Sequence, residues 1–375
     1  MNLTIKSITL ERFRAFRELR LQDLGRVNLI TGKNNTGKSS VLEALRILAS
    51  NASPSILMSI LRDREEDFEE TDEEGSPSDI ASVFPLSTLC NGFPQLDENP
   101  DPIVIDTNGG SRPMSLKLGL GWFYTERDAE GNRRLVPQQP DSSEEQEAIP
   151  ALEIEADGMK RVLRIGSFRR DRYRAGMVRP ELKSEPRMPC VFVSPYGGEK
   201  TATLGTLWDK IALSDQEKDV VDALKIIDPR ISAVSMVGGQ RKYQPRTAIV
   251  RAENISRPVP LRSFGDGLNR LFGIILSLVN AKGGVLLIDE FENGMHHTVQ
   301  LDAWRTVFRL AQKLEMQVFA TSHSWDCIEA FQKAAAETPE VGVLVRLTRR
   351  QDDVIPTVFT EEELAVATRD GIEVR

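Results

Sequence analysis

The sequence predicts an α/β fold: a mixed β-sheet flanked by helices, with a β-rich insertion after the first helix. Three observations carry this. The apolar run VNLI (27–30) ends at Thr31-Gly32 and is followed by Val41, Leu42, Leu45 and Leu48 at helical spacing. A second fully apolar run, VLLI (285–288), ends in two carboxylates and follows an apolar helical stretch at 268–279. Between 51 and 189 the chain breaks into strand-like pieces (PIVID, LKLGLGWFY, ALEIEA, RVLRIGSF) separated by proline, glycine and acidic residues.

In chain order, Ile5, Ile8, Leu10 and Phe13 suggest an opening strand, and 27–30 a buried one. The helix that follows is expected to end at Pro54. CVFVS (190–194) reads as a strand, and Ser214 with Glu217 as a capping box opening a helix through Ile227. Residues 298–314 form an amphipathic helix with Leu301, Trp304, Val307, Phe308, Ala311 and Leu314 on one face. Residues 341–347 and 354–359 suggest a closing hairpin, and Thr360 with Glu363 caps a last helix. The expected division is a discontinuous main domain, 1–50 with 190–375, and an inserted region at 51–189 carrying an acidic linker at 62–77.

Composition excludes several classes. Of the 375 residues, 40% are apolar and 28% charged, as in ordinary globular proteins, so collagen-like and fully disordered chains are ruled out. The longest mostly apolar run contains Asn269 and Arg270 and is too short for a bilayer, so no membrane association is expected. The N-terminus lacks a secretory pattern, and Cys90, Cys190 and Cys327 form neither a zinc spacing nor a disulfide framework. A reducing cytoplasm is the expected compartment. The net charge of −8 is uneven: between Arg62 and Glu74, nine acidic residues stand against two arginines, which reads as a solvated linker. Between Lys160 and Arg179, eight basic residues face only Asp171, with Phe168 and Tyr173 interleaved. That stretch reads either as a DNA-facing patch or as a solvated face, and charge runs are usually surface.

The strongest chemical signal is Gly32-Lys33-Asn34-Asn35-Thr36-Gly37-Lys38-Ser39, a full G-x-x-x-x-G-K-[ST] match between a buried strand and an amphipathic helix. Backbone N–H groups of such a loop point at phosphates, Lys38 supplies a point charge, and the Ser39 hydroxyl is placed to ligate Mg²⁺. Asp289 and Glu290, at the C-terminal end of 285–288, fit a Walker B pair: Asp289 for the Mg²⁺ shell, Glu290 for the attacking water. All three histidines (His296, His297, His323) follow Asp289, and His323 lies just past an apolar strand at 318–320, where it can touch a γ-phosphate. The segment Ser263-Phe264-Gly265-Asp266-Gly267 opens an apolar helix and is a second anion cradle, or an ordinary turn.

In this order the motifs resemble the ABC-type ATPase head, and more narrowly the RecF/OLD-like branch of AAA family ATPases. The narrower likeness is carried by ITLERFRAFRELRL…VNLITGKNNTGKSSVLEAL, by SFGDGLNRLFGIILSLVNAKGGVLLIDEFENGMHH and by VFATSHSWDCIEAF. The resemblance implies ATP and Mg²⁺ sandwiched in a homodimer, Walker A of one protomer facing the signature loop of the other. It carries ATP contacts onto Gly32, Asn34, Asn35, Thr36, Gly37, Lys38, Ser39 and Ser40, the metal onto Ser39 and Asp289, and catalysis onto Glu290, His323 and Lys38. Ser263, Gly265, Asp266 and Gly267 stand at the signature position but are not LSGGQ, so the residue that reaches across is left open. Glu292, Asn293, Gly294, Met295 and His296 would form the D-loop, and Arg14 would contact the nucleotide. No sequence for a Toprim nuclease follows His323, so any nuclease output would come from an effector in trans. The implied function is an ATP-driven dimerisation switch acting on a partner, with a RecF-like DNA-binding ATPase as the alternative. Absent heptads and hook cysteines argue against long-armed SMC proteins.

Overall fold

The computed structural model describes residues 3–66, 84–94, 100–127, 133–137, 148–165, 185–195, 201–238, 246–338 and 342–369. Strands β1 (Ser7–Phe13) and β2 (Phe16–Leu21) form a hairpin, and β3 (Val27–Gly32) runs into helix α1 (Lys38–Ala49). Helix α2 (Pro54–Asp63) follows, with Pro54 in its first turn. The proline therefore opens a second helix; Ser50 already ends the first. A missing N–H costs nothing at a helix start, which is why proline suits that position. After α3 (Phe84–Ser87) come β4 (Ile103–Asn108), β5 (Met114–Arg127), β6 (Arg133–Pro137), β7 (Ile149–Ala156), β8 (Met159–Arg164) and β9 (Cys190–Val193). Helices α4 (Thr201–Asp209) and α5 (Asp215–Ile227) precede β10 (Ile231–Gly238), β11 (Arg246–Ala252) and β12 (Val259–Pro260). Then follow α6 (Asp266–Asn280), β13 (Val285–Ile288), α7 (His297–Lys313), β14 (Gln317–Thr321), α8 (Trp325–Ala336), the hairpin β15 (Gly342–Arg350) with β16 (Asp353–Phe359), and α9 (Glu361–Arg369).

The capping box expected at α9 forms, while at α5 the expected box is replaced by a simple serine cap. At α9, Glu363 accepts from the Thr360 amide at 2.9 Å and donates its own amide to the Thr360 hydroxyl at 3.3 Å. At α5, Ser214 accepts from the Gln216 amide at 3.2 Å, while Glu217 reaches back to the Leu213 amide at 2.7 Å rather than to Ser214.

The central sheet has the order β16-β15-β3-β14-β13-β9 and is parallel except at its β16 edge. Both its faces are covered. Leu286 and Ile288 of β13 join a core with α6, α7 and α8. Val285 and Leu287 face the opposite way, into a core with α1 and the β1–β2 hairpin. This two-sided burial is why β13 reads as an unbroken apolar run and why β3 and β14 carry apolar residues on both faces.

A second, antiparallel sheet has the order β2-β1-β4-β5-β7-β8, with β6 on β5. The N-terminal hairpin is therefore one end of the same sheet that the 51–189 segment builds, through the β1–β4 ladder. The proposed acidic linker starts in structure: Arg62 and Asp63 close α2, Arg64 pairs with Glu43, and Glu66 pairs with Arg14. Its remainder, 67–77, lies outside the described residues. So do Phe168, Tyr173 and Arg169 to Arg179 of the basic stretch. The three cysteines are free thiols, and no described helix is long and apolar enough to cross a membrane.

Candidate nucleotide site

The loop between β3 and α1 is shaped by two glycines. A Cβ at Gly32 (φ +144°) would lie 2.5 Å from the Leu347 carbonyl oxygen, and one at Gly37 (φ +89°) 2.5 Å from the Phe16 ring. Neither position has room for a side chain, and both use backbone that glycine alone adopts freely. Thr36 donates its hydroxyl back to the Lys33 carbonyl at 2.9 Å and closes the loop. Lys38 folds into it, with Nζ donating to the carbonyls of Gly32 (2.8 Å) and Lys33 (3.0 Å). Burial pulls the Lys38 pKa down, and Asp289, Glu290 and Glu292 oppose that shift. The three carboxylates keep a charge in the loop that burial alone would disfavour.

A cavity of about 720 Å³ opens over this loop. Asn34, Asn35, Gly37, Lys38, Ser39 and Ser40 form one part of its wall, and Asp289, Glu290, Thr321 and His323 another. Gly32 and Thr36 lie beneath it as the loop's frame. Strands β3, β13 and β14 are parallel neighbours, so their C-terminal ends deliver these groups to one edge of the sheet.

Asp289 is 7% exposed and holds the two halves together. Its Oδ1 accepts from the Ser39 hydroxyl at 3.1 Å and from the Thr321 hydroxyl at 2.5 Å. Thr321 Oγ1 also accepts from the Glu290 amide at 2.9 Å. Glu290 has φ +50°, and its carboxylate accepts from Asn293 Nδ2 at 3.3 Å. Next to it Phe291 is fully buried and stacked on Trp304 of α7, with ring centroids 3.7 Å apart. Arg270 of α6, itself buried, donates to the carbonyls of Asp289 (3.2 Å) and Ser194 (2.7 Å). The left-handed backbone at Glu290 is thus fixed from behind by groups on three elements. Hard oxygen donors from a hydroxyl and a carboxylate, side by side, fit a divalent cation that also takes phosphate oxygens.

Glu292 links the next loop to the histidine. Its Oε1 accepts from the Ser322 hydroxyl (2.9 Å) and from the amides of His323 (3.0 Å) and Ser324 (3.2 Å), and lies 3.4 Å from His323 Nδ1. The His323 ring remains half exposed toward the cavity. His296 accepts the Thr298 amide and caps α7.

Ser263, Gly265 and Asp266 are exposed and, with Gly267, stand off the cavity wall. Asp266 pairs with Arg262 at 2.8 Å, and a Cβ on Gly267 would sit 3.6 Å from the Gly294 carbonyl. This segment therefore borders the loop at 292–295, not the phosphate loop of its own chain.

Arg14, expected to contact the nucleotide, also anchors an ion-pair network behind the loop. It lines the cavity, but its guanidinium is buried against Glu43 of α1 (3.1 Å) and Glu66 (2.7 Å). Glu43 also takes Arg64 Nε at 2.6 Å. Burial raises the Glu43 pKa, and Arg14 and Arg64 oppose it. Glu43→Ala is expected to destabilise the fold by about 3 kcal/mol, because it leaves arginine charge buried without its shared carboxylate. Urea unfolding checks this, and a loss below about 1 kcal/mol would mean the network is solvated. Sequence reasoning missed Thr321, Arg270, Glu43 and Arg64. Only Thr321 carried a signal, as a hydroxyl two residues before His323.

The fold is that of an ABC-type ATPase head, with a phosphate loop at the edge of its central sheet. Two family models match: "AAA ATPase domain" over residues 3–161, and "AAA domain, putative AbiEii toxin, Type IV TA system" over 203–328. An "ATP/GTP phosphatase" of Helicobacter pylori is 23% identical over 385 residues, covering 96% of each chain. An uncharacterized protein of Methanocaldococcus jannaschii is 47% identical over 60 residues, 16% of this chain and 27% of that protein. Among solved structures, an Smc head bound to the C-winged helix domain of ScpA aligns with TM-score 0.50 at 9% identity, covering 96% of this chain and 99% of the other. The chain carries AAA-family ATPase domains on an ABC-type head fold, and the enzyme is an ATPase.

Proposed function

We propose that the protein binds Mg-ATP in this cavity and works as a switch that pairs two heads on ATP and controls a partner protein. The observation that carries the reading is an incomplete site. Phosphate loop, paired carboxylates and histidine share one wall, while the segment 263–267 is exposed away from it. A second copy bringing its own 263–267 segment over the nucleotide completes the cavity. Gly267 borders the loop at 292–295 of its own chain, and this supports reading the two segments as one continuous surface for that copy.

Within the site, Lys38 exchanges its two backbone carbonyls for phosphate oxygens. Ser39 and Asp289 would hold Mg²⁺, which supplies charge neutralisation at the phosphates. Glu290 orients a water and accepts its proton, and Thr321 fixes Glu290 and Asp289 at the correct spacing. His323, braced by Glu292, donates toward the γ-phosphate and reports its loss to the loop at 292–295. The domain division proposed is 1–50 with 190–375 as the head, and 51–189 as the part that sets the output. The solved Smc head carries a protein partner, and one matching family model names a toxin of a toxin–antitoxin system. Both favour a protein effector, and the second a genome-defence setting within the RecF/OLD-like branch.

The alternative is a DNA-binding ATPase. In the described part of the basic stretch, Lys160 pairs with Glu153 and Glu155, Arg161 donates to the Asn51 carbonyl, and Arg164 donates to Thr125 at 3.0 Å. These groups are engaged within the chain, which favours the partner-protein reading. Phosphate release from Mg-ATP is expected to be slow and unchanged by linear duplex DNA. Stimulation that weakens steeply with salt would favour the DNA reading instead.

A further inference from the structure

We infer that Phe93 is the platform on which the purine ring of the nucleotide lies, an inference that rests on the Mg-ATP reading of the cavity. Phe93 is 65% exposed and has φ +53°. A bulky side chain in left-handed backbone is uncommon, and a strained position at a cavity points to a function. The turn that carries it is firmly held. Arg14 N donates to the Leu89 carbonyl (2.8 Å), Asn91 N to the Arg12 carbonyl (2.9 Å), and Asn91 Nδ2 to the Arg14 carbonyl (2.7 Å). Phe13 bridges Cys90, and Phe93 N reaches the Cys90 carbonyl at 3.4 Å. The backbone is thus clamped to the β1–β2 turn, and the ring is left uncovered.

That turn is adjacent to the phosphate loop, since Phe16 packs under Gly37. Phe93 lines the same cavity as Gly37 and Lys38 and, among the described residues, is the one apolar aromatic ring in its wall, the other ring being the His323 imidazole beside the carboxylates. The other wall groups are mostly charged or amide side chains, hydroxyls and backbone, suited to phosphate, ribose and metal. A nucleotide has a single flat apolar part, and this wall offers a single flat apolar surface. The volume, about 720 Å³, lies within the range of small-ligand sites. A stacked ring reads the face of a base rather than its edge, so the platform accepts adenine and guanine alike.

The test is calorimetric titration of Mg-ATP, Mg-GTP and inorganic tripolyphosphate into the wild-type chain, Phe93→Ala, Phe93→Tyr and Lys38→Ala. Phe93→Ala is expected to weaken both nucleotides about tenfold and leave tripolyphosphate unchanged. Phe93→Tyr restores nucleotide binding, and Lys38→Ala weakens all three ligands. Wild-type ATP affinity in Phe93→Ala, with ATP binding lost in Lys38→Ala, overturns the platform and leaves the phosphate site standing. Equal weakening of ATP and tripolyphosphate by Phe93→Ala also overturns it, because the residue would then act through the loop's fold. A wild-type chain that binds none of the three ligands overturns the Mg-ATP reading and the platform with it.

Discussion

Glu290→Gln is expected to keep Mg-ATP bound while lowering turnover at least about a hundredfold, in line with the usual contribution of a general base. The substitution removes a proton acceptor and little else. Glutamine keeps the length of the side chain and an oxygen that can still accept from Asn293 Nδ2, now 3.3 Å from the carboxylate. The backbone anchors, Thr321 Oγ1 on the amide and the buried Phe291 ring, are untouched. Glu290 sits at φ +50°, which costs roughly 1–2 kcal/mol for a residue with a Cβ, so the position is maintained by its neighbours. With hydrolysis blocked, the ATP-bound pair should persist. Light scattering after gel filtration then shows a dimer with ATP and a monomer without it. A variant that stays monomeric with ATP and turns over normally would falsify the sandwich.

Lys38→Ala should abolish productive ATP binding, with affinity falling by about a hundredfold or more. Charge-assisted hydrogen bonds are worth about 1.5–3 kcal/mol each, and the ammonium has two partners to exchange for phosphate oxygens. Its removal also leaves Asp289, Glu290 and Glu292 facing the incoming phosphates without a cation, so the loss exceeds the bonds alone. The fold should survive, because Lys38 donates only to two loop carbonyls. Melting without nucleotide is expected to stay close to wild type. Retained turnover at the wild-type rate sinks the phosphate-loop reading.

What the sequence disclosed follows from how each feature is encoded. Residues 32–39 and 285–290 are contiguous: a glycine spacing and an apolar run with two acids are legible because the chemistry and the local fold lie in the same few residues. The same holds for both helix caps. Pro54 was misplaced because proline breaks a helix and starts one, and only the packing of α2 decides between these. Thr321 joins Asp289 and Glu290 across 32 and 31 positions, and Arg14 meets Glu43 and Glu66 across 29 and 52. No local pattern announces pairings of that range. Phe93 was invisible for the same reason, since an exposed phenylalanine means little until a turn places it on a cavity wall.

The close approach of Phe16 to Gly37 has a mechanical consequence. Phe16 opens β2, the edge strand of the antiparallel sheet, and its ring touches the hinge of the phosphate loop. That sheet, running from β8 through β7, β5 and β4 to the hairpin, meets the loop and its helix through the Phe16 ring, the shared core with α1 and the Arg14–Glu43 pair. The loop and the sheet therefore share a packed contact, so the shape of one constrains the shape of the other.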